Sequence, residues 1–214
     1  MSKVTLIDHM GSDVSVVNAA RVSFGKAHTE FRDGDERLIR YLATHNHWTP
    51  FGHASLSFHI KAPIFVARQL VKHQVGLVWN EISRRYVDGE PEFYYPDTWR
   101  GRPVDKKQGS SDEIIEYIDK ERVGNAAVRV CGKAHEEYAR MIGAGVTPEQ
   151  ARMILPQNTY TEWYWTGSLI AFARVCNLRC QPDAQKETAD VSWEIDTLTK
   201  DLFPVSWDAL RSSE

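Results

Sequence analysis

Residues 54–61 read ASLSFHIK, in which Ala54, Leu56, Phe58 and Ile60 alternate with Ser55, Ser57, His59 and Lys61. Apolar side chains at every second position place one face on a core and the other in water, so this run predicts a half-buried strand. The turn-like HWTPFGH precedes it and Pro63 follows it. Proline is tolerated in the first turn of a helix, where its missing N–H has no intrahelical acceptor, and IFVARQLVKHQ then continues without a breaker. On that predicted helix Arg68 and Lys72 share one face, and Gln69 and His73 an adjacent one.

Working outward, VTLID at 4–8 predicts a second strand, and Ser12 or Asp13 caps a helix through Val14, Val17 and Asn18 to Ala20. Asp33 to His45 predicts a surface helix on Leu38, Ile39, Tyr41 and Leu42, with Asp35 and Glu36 in the first turn, where the helix dipole favours acids. GEPEFYYPDTWRGRP predicts a folded loop or a strand with turns, and RGRPVDKKQGSSD a polar connector. Ser110 with Glu113 has capping-box spacing before a long helical pattern through Ile114, Tyr117, Ile118, Val128, Tyr138 and Met141, ended by Gly143 and Gly145. Thr147 and Gln150 repeat the cap around Pro148, and Pro156 limits that helix. Two more helices are predicted, over about 160–179 and 183–202. The pattern is α+β, with helices outnumbering strands, in a single domain over 1–214.

With 42% hydrophobic, 26% charged and 11% aromatic residues, 214 residues close one sizeable core and fall short of two ordinary domains. Nothing approaches the ~18–20 apolar residues of a membrane span, and 13 glycines with 9 prolines exclude a collagen-like chain. MSKVTLIDHMGSD lacks the cationic segment and apolar run of a secretory signal, so a cytoplasmic product is expected. Cys131, Cys176 and Cys180 lack CxxC spacing, which argues against a disulfide framework and a thiolate zinc site; Cys176 and Cys180 fall on one helical face. The net charge of −3 gives no support to a broad cationic grip on nucleic acid, so any anion site must be local.

Such a local site is suggested by Arg68–Tyr86, where Arg68, Lys72, Arg84 and Arg85 face one acid, Glu81. Gly76 and Asn80 let the chain fold back, and Ser83 adds a hydroxyl. Guanidinium forks, hydroxyls and main-chain N–H groups are the parts of a phosphate site; the competing reading is a solvated basic face. A second set is Arg152, Arg174 and Arg179, the last two among Leu169, Ile170, Ala171, Phe172, Ala173 and Val175. Such arginines need an anionic or carbonyl partner, either Glu149 or Glu162 in an ion pair or a ligand. His45, His47, His53 and His59 do not have metal-site spacing, and no Walker loop, GxGxxG or GxSxG motif occurs. The WYW run at 163–165 reads as core.

The runs AARVSFGK (19–26), TPFGH (49–53), FHIKAPIFVARQ (58–69), NEISRRY (80–86), ARMILPQNTYTEWYWTGS (151–168) and NLR (177–179) occur in an order that resembles the flavin-dependent thymidylate synthases over nearly the whole chain. That family carries an Arg-His-Arg triplet, seven residues and a serine, followed by an arginine and a tyrosine. Here the run is Lys72-His73-Gln74, the eight-residue VGLVWNEI, then Ser83-Arg84-Arg85-Tyr86.

The resemblance implies methylation of dUMP to dTMP, with methylenetetrahydrofolate as carbon donor, NADPH as reductant and FAD as hydride relay. No enzyme thiolate takes part, and no metal. It implies that Gln69, Lys72, Glu81, Ser83, Arg84, Arg85 and Arg152 hold dUMP, with Arg85 and Arg152 on the phosphate. Arg179 would be the catalytic residue, contacting the uracil carbonyl edge and favouring the N3-ionised ring. FAD would meet Ser23, Thr49, Lys72, His73, Gln74, Glu81, Ser168 and Arg174, with His47 near the flavin. Lys72 keeps the charge of the family arginine without its fork, and Gln74 loses the charge. Ile170 stands in place of a flavin-contacting arginine and Asp183 in place of a histidine. The implied fold is an α+β antiparallel sheet flanked by helices, assembled as a cytoplasmic homotetramer with active sites where subunits meet, and with neither nucleic acid nor membrane as partner. Two alternatives stand beside this one: a hydroxymethylase on the same scaffold, and a nucleotide-binding protein that has lost the chemistry.

Overall fold

The computed structural model describes residues 2–104, 110, 111 and 117–211. Its centre is the predicted strand, here β2 (Ser55–Pro63), which pairs antiparallel with β1 (Lys3–Met10) on one side and β4 (Tyr160–Ser168) on the other. The short strand β3 (Leu77–Glu81) closes the far edge, so the sheet order is β1-β2-β4-β3. The alternation of β2 is realised in full: Leu56, Phe58, Ile60 and Ala62 are buried, while Ser57, His59 and Lys61 face outward. On that outer face the Ser57 and Thr166 hydroxyls bond at 2.8 Å and His59 pairs with Glu162 at 3.0 Å.

The buried face is covered by α1 (Asp13–Arg21), α2 (Asp35–Thr44), α3 (Ile64–Leu70), α6 (Leu169–Arg179), α7 (Lys186–Leu202) and α8 (Pro204–Arg211). Phe172 of α6 meets Phe58 and Trp165 edge-on, with ring centroids 5.1 and 5.3 Å apart, so α6 is seated on the two central strands. Away from this core, α4 (Tyr117–Gly143) packs beside the one-turn α5 (Pro148–Ala151). Glu113 and Ile114, used to predict the start of the long helix, lie outside the described residues. Among the described residues no helix is long and apolar enough to cross a membrane.

Several expectations are corrected. Residues 160–168 are a strand, not the first half of a helix: Thr161, Trp163 and Trp165 are buried on one face, and Glu162, Tyr164 and Thr166 point to the other. Aromatic and threonine side chains suit a pleated surface, and this period-two pattern decides the run. Pro63 ends β2 and caps α3 from outside its first turn. The helix then stops at Leu70 instead of continuing to Gln74, because the chain turns through His73, whose N–H reaches the Leu70 carbonyl at 3.0 Å, and through Gly76 at φ +76°. The helix after Thr147 lasts one turn before a 3-10 turn over Arg152–Ile154. Residues 89–103 form a loop with bridge positions at Phe93, which pairs with Thr159, and at Arg100.

β3 and α8 were not anticipated. β3 is held against β4 at Gly167, which lies opposite Leu77. A Cβ at Gly167 would lie 2.5 Å from both the Gly76 carbonyl oxygen and the Leu77 side chain, so the approach requires glycine. We predict that Gly167→Ala pushes β3 away and costs about 1–3 kcal/mol. Urea unfolding would register this as a lower midpoint at unchanged slope, and an unchanged midpoint would refute the close approach.

Candidate active site

The turn between α3 and β3 is pinned from both sides. Leu77 N–H donates to the Gln74 carbonyl at 3.3 Å, and Ser168 N–H, at the start of α6, donates to the Gly76 carbonyl at 3.1 Å. This fixes His73, half-buried, against Arg179, the last residue of α6: Arg179 Nε donates to His73 Nε2 at 3.0 Å. An imidazole nitrogen that accepts carries no proton, so the ring is neutral with its proton on Nδ1. Burial, together with the Arg179 charge, pushes the His73 pKa below its ordinary 6.5. Lys72, Gln74 and Arg174 are exposed near the same structural unit. Arg174 is therefore not enclosed by the apolar residues around it in sequence, and among the described residues neither Arg174 nor Lys72 has an ion pair.

Beyond β3 the SRRY stretch forms a turn in which Tyr86 N–H donates to the Ser83 carbonyl at 3.0 Å and Arg85 N–H to Ser83 Oγ at 3.2 Å. Arg84 turns inward: its two Nη groups donate to the carbonyls of Gly89 and Glu90, at 2.9 and 3.4 Å, and its guanidinium lies 5.9 Å from the Tyr138 ring centre. Arg85 instead reaches the exposed Glu149 carboxylate at 3.2 Å, while Arg152 Nε donates to the Glu149 carbonyl at 3.2 Å. Two expected phosphate ligands thus converge on one residue. The Glu81 carboxylate accepts from Thr161 Oγ1 at 2.6 Å and Trp79 Nε1 at 3.2 Å. Glu81, Arg84 and Arg152 line one cavity of about 320 Å³, together with Tyr160 and Glu162. Glu162 serves His59 and, at 4.0 Å, Lys61, so neither expected carboxylate pairs with Arg174 or Arg179.

Gln69 belongs to another network. Its Oε1 accepts from Thr188 Oγ1 at 3.2 Å and its Nε2 donates to Gln185 Oε1, so the start of α7 orients the amide. Gln185 Nε2 in turn donates to Glu187, which also takes Arg100 Nη2 at 2.9 and 3.0 Å and the Tyr94 hydroxyl at 3.4 Å. Burial raises the Glu187 pKa, but bonds from its own backbone N–H, Arg100 and Gln185 outweigh that and hold it below the usual value. Arg100, Gln185 and Glu187 line a cavity of about 700 Å³ with Tyr94, Tyr95 and Trp99. Sequence reasoning missed this network; the aromatic run FYYPDTW at 93–99 was its one visible signal.

Ser23, His47 and Thr49 meet in a third place, a pocket of about 370 Å³ completed by Asn46 and Trp48. Tyr41 stacks on His45 at 4.0 Å and meets His47 edge-on at 5.9 Å, giving an aromatic rim. Asn46 adopts φ +55°, a left-handed turn that asparagine tolerates. No cysteine lines this pocket; Cys131 lies on the wall of the cavity of about 700 Å³. Cys176 of α6 and Cys180, which caps its end, have Asp196 close by, their donor atoms within 4.8 Å of one another, but Asp196 already accepts from Arg211 at 2.7 Å and Trp207 at 3.1 Å.

One chain therefore places the expected residues in separate patches: Arg85 and Arg152 around Glu149, Arg179 on His73, and Ser23, His47 and Thr49 in a pocket sharing no lining residue with the cavity at Glu81. Large exposed apolar side chains adjoin these residues in sequence. Phe24 is 77% exposed beside Ser23, Val75 77% beside Gln74, Tyr86 79% beside Arg85 and Met153 74% beside Arg152.

Residues 5–205 match the family model described as thymidylate synthase complementing protein. The chain is 39% identical over 208 residues to a flavin-dependent thymidylate synthase of Thermus thermophilus, covering 97% of this chain and 75% of that protein. It is 38% identical over 204 residues to one from Thermosipho africanus, covering 95% and 88%. Among solved structures, the UMP/dUMP methylase PolB of Streptomyces cacaoi, bound with 5-Br dUMP, superposes with a TM-score of 0.86 at 34% identity, covering 98% of this chain and 94% of that one.

Because the folded-state pKa of His73 lies below 6.5, the folded protein resists protonating this ring, and the group withdraws stability as pH falls through about 6.5 toward the folded value. We predict that ring-nitrogen NMR finds His73 neutral at pH 7 with Nδ1 protonated. A midpoint at or above 6.5, or the opposite tautomer, would refute the bond to Arg179.

Proposed function

The chain belongs to the flavin-dependent thymidylate synthase family, and from that premise we propose that it methylates dUMP to dTMP, with methylenetetrahydrofolate as carbon donor, NADPH as reductant and FAD as hydride relay. The observation that carries this reading is the convergence of Arg85 and Arg152 on Glu149. An exposed ion pair contributes about 0–1 kcal/mol, so a phosphate, with more charge and more acceptor oxygens, displaces the carboxylate and takes both guanidinium groups. Ser83 adds a hydroxyl beside them. That hydroxyl accepts from a backbone N–H and has no base beside it among the described residues, so it binds and does not attack. Gln69, Lys72, Glu81 and Arg84 complete the dUMP set.

Arg179 acts on the ring. Its bond to His73 uses Nε alone and leaves both Nη groups free to donate to the uracil carbonyl edge, where a fixed cation stabilises the N3-ionised pyrimidine. Cysteine takes no part in this reading: Cys131 and Cys176 are buried, and the charge of Arg179 does the activating.

The residues present fit a flavin dinucleotide. Hydroxyls of Ser23 and Thr49 and the His47 ring stand beside the exposed indole of Trp48, Ser168 caps the start of α6, and Lys72 and Arg174 are exposed cations. His73, Gln74 and Glu81 belong to the same set. When bound, FAD supplies the redox chemistry that neither the arginines nor the hydroxyls can. The exposed Phe24, Val75, Tyr86 and Met153 interleave with these residues, and covering such surface favours assembly. We read the chain as one domain and the enzyme as a cytoplasmic homotetramer whose sites are completed where subunits meet, bringing the separate patches together.

Incubating the protein with dUMP, methylenetetrahydrofolate, NADPH and FAD and weighing the product tests this reading: dTMP supports it, a hydroxymethylated nucleotide identifies the sister reaction, and binding without turnover identifies an inactive relative. Arg179→Ala is expected to lower kcat by at least about 100-fold while FAD absorbance is retained. Arg85→Ala is expected to weaken dUMP binding by about 10–100-fold, the worth of a charge-assisted bond, as measured by calorimetry.

A further inference from the structure

We propose that His73 is the positioning residue of Arg179, aiming its guanidinium through a neutral acceptor so that the fork is held while its charge stays available. The inference rests on the reading above, in which Arg179 meets the uracil ring.

The half-buried arginines of this chain fall into two groups. Arg21, Arg100 and Arg211 each meet a carboxylate, Asp35 at 2.6 Å, Glu187 at 2.9 Å and Asp196 at 2.7 Å, and their charge is cancelled where they stand. Arg84 and Arg179 have neutral partners. In Arg84 each Nη group already donates to a backbone carbonyl, so only part of its fork is left for a ligand. In Arg179 the bond is made through Nε, and among the described residues neither Nη group has a hydrogen-bond partner. Among the described residues Arg179 has no ion pair.

The holder is itself held. The His73 N–H is tied to the Leu70 carbonyl, and the turn that carries it is fastened to α6 through Gly76 and Ser168. Gly76, at φ +76°, packs so closely that an added Cβ would lie 3.2 Å from both the Ala171 methyl and Ser168 Oγ. Turn and helix therefore move as one body, and the last residue of α6 is aimed by a ring anchored on the helix's own first turn.

The partner's charge is the point. A carboxylate in place of the imidazole would accept the same bond, but its negative charge would oppose the anion developing on the pyrimidine. A protonated imidazole would donate where it must accept, and the bond would be lost.

Three substitutions separate these effects. His73→Gln keeps a neutral acceptor, His73→Glu keeps the acceptor but adds a negative charge, and His73→Ala removes both. With FAD saturating, His73→Ala is expected to lower kcat at least about tenfold with a smaller change in KM for dUMP, as expected when a reacting group loses its orientation. His73→Gln should recover to within about threefold of the parent, and His73→Glu should fall at least as far as alanine. Activity of the Glu variant at or above that of the Gln variant would overturn the proposal, as would a loss confined to FAD affinity with kcat unchanged. In the background of Arg179→Lys, which has no Nε–H to offer, His73→Ala should have no further effect, and an additive loss would overturn it. A readout independent of turnover is the Arg179 Nε–H NMR signal, expected to be protected from exchange in the parent and in His73→Gln and unprotected in His73→Ala. Protection unchanged in the alanine variant refutes the positioning role. Failure of the unsubstituted protein to act on dUMP, with the protection pattern as expected, refutes the functional reading and leaves the positioning contact standing.

Discussion

The seating of β3 and its preceding turn against β4 is the constraint on which the site geometry rests. Leu77 pairs opposite Gly167, and the Gly76 carbonyl accepts from Ser168 N–H one residue further along β4. Both contacts need a glycine: one because a side chain would collide with backbone, the other because the turn requires positive φ. With these in place, α3 delivers Gln69, the turn delivers His73 and Gln74, and β3 ends at Glu81 just before Ser83. The site residues of the first half are thus strung along one continuous path whose two ends are fixed to the sheet.

Electrostatics distinguishes arginines that build the fold from those that can serve a ligand. A buried carboxylate partner, as in Arg21–Asp35, fixes an arginine for structural use, because removing either member leaves an unpaired charge in a poorly solvated place. An exposed partner, as in Arg85–Glu149, is exchangeable at little cost. A neutral partner, as in Arg179–His73, leaves the full positive charge in place. The net charge of −3, a sum over the whole chain, conceals this sorting.

Much of the fold was legible in the sequence wherever a local period was strong. β1, β2, α1, α2 and most of α6 and α7 follow from alternation, from helical spacing and from capping residues. β4 was misread because Tyr160–Ser168 runs straight into α6 without a breaker, and only its burial pattern separates the two. β3 is five residues long and owes its existence to a partner distant in sequence. The site was legible mainly through the family resemblance, since the residue patterns alone left a phosphate site and a solvated basic face equally open. Which arginine meets which acid could not be read at all: Glu149 and Glu162 were candidates for the arginines of the second half, and the chain uses one for Arg85 and the other for His59. Such choices are settled by sheet register and helix seating, which sequence spacing does not encode.

The carboxylate of Asp13, buried at the start of α1, accepts the backbone N–H groups of Val205 and Ser206 at 3.0 and 2.8 Å and so completes the first turn of α8. Almost the whole chain separates donor from acceptor. During synthesis this acid must wait, hydrated, until Val205 and Ser206 leave the ribosome, because until then these donors are missing. Burying it earlier would strand an ionised group in an apolar setting, which is costly. Closure of the core around Phe203 and Trp207 therefore waits for residues 205 and 206 to emerge, and a nascent chain stalled before residue 205 exposes apolar surface that the completed core covers.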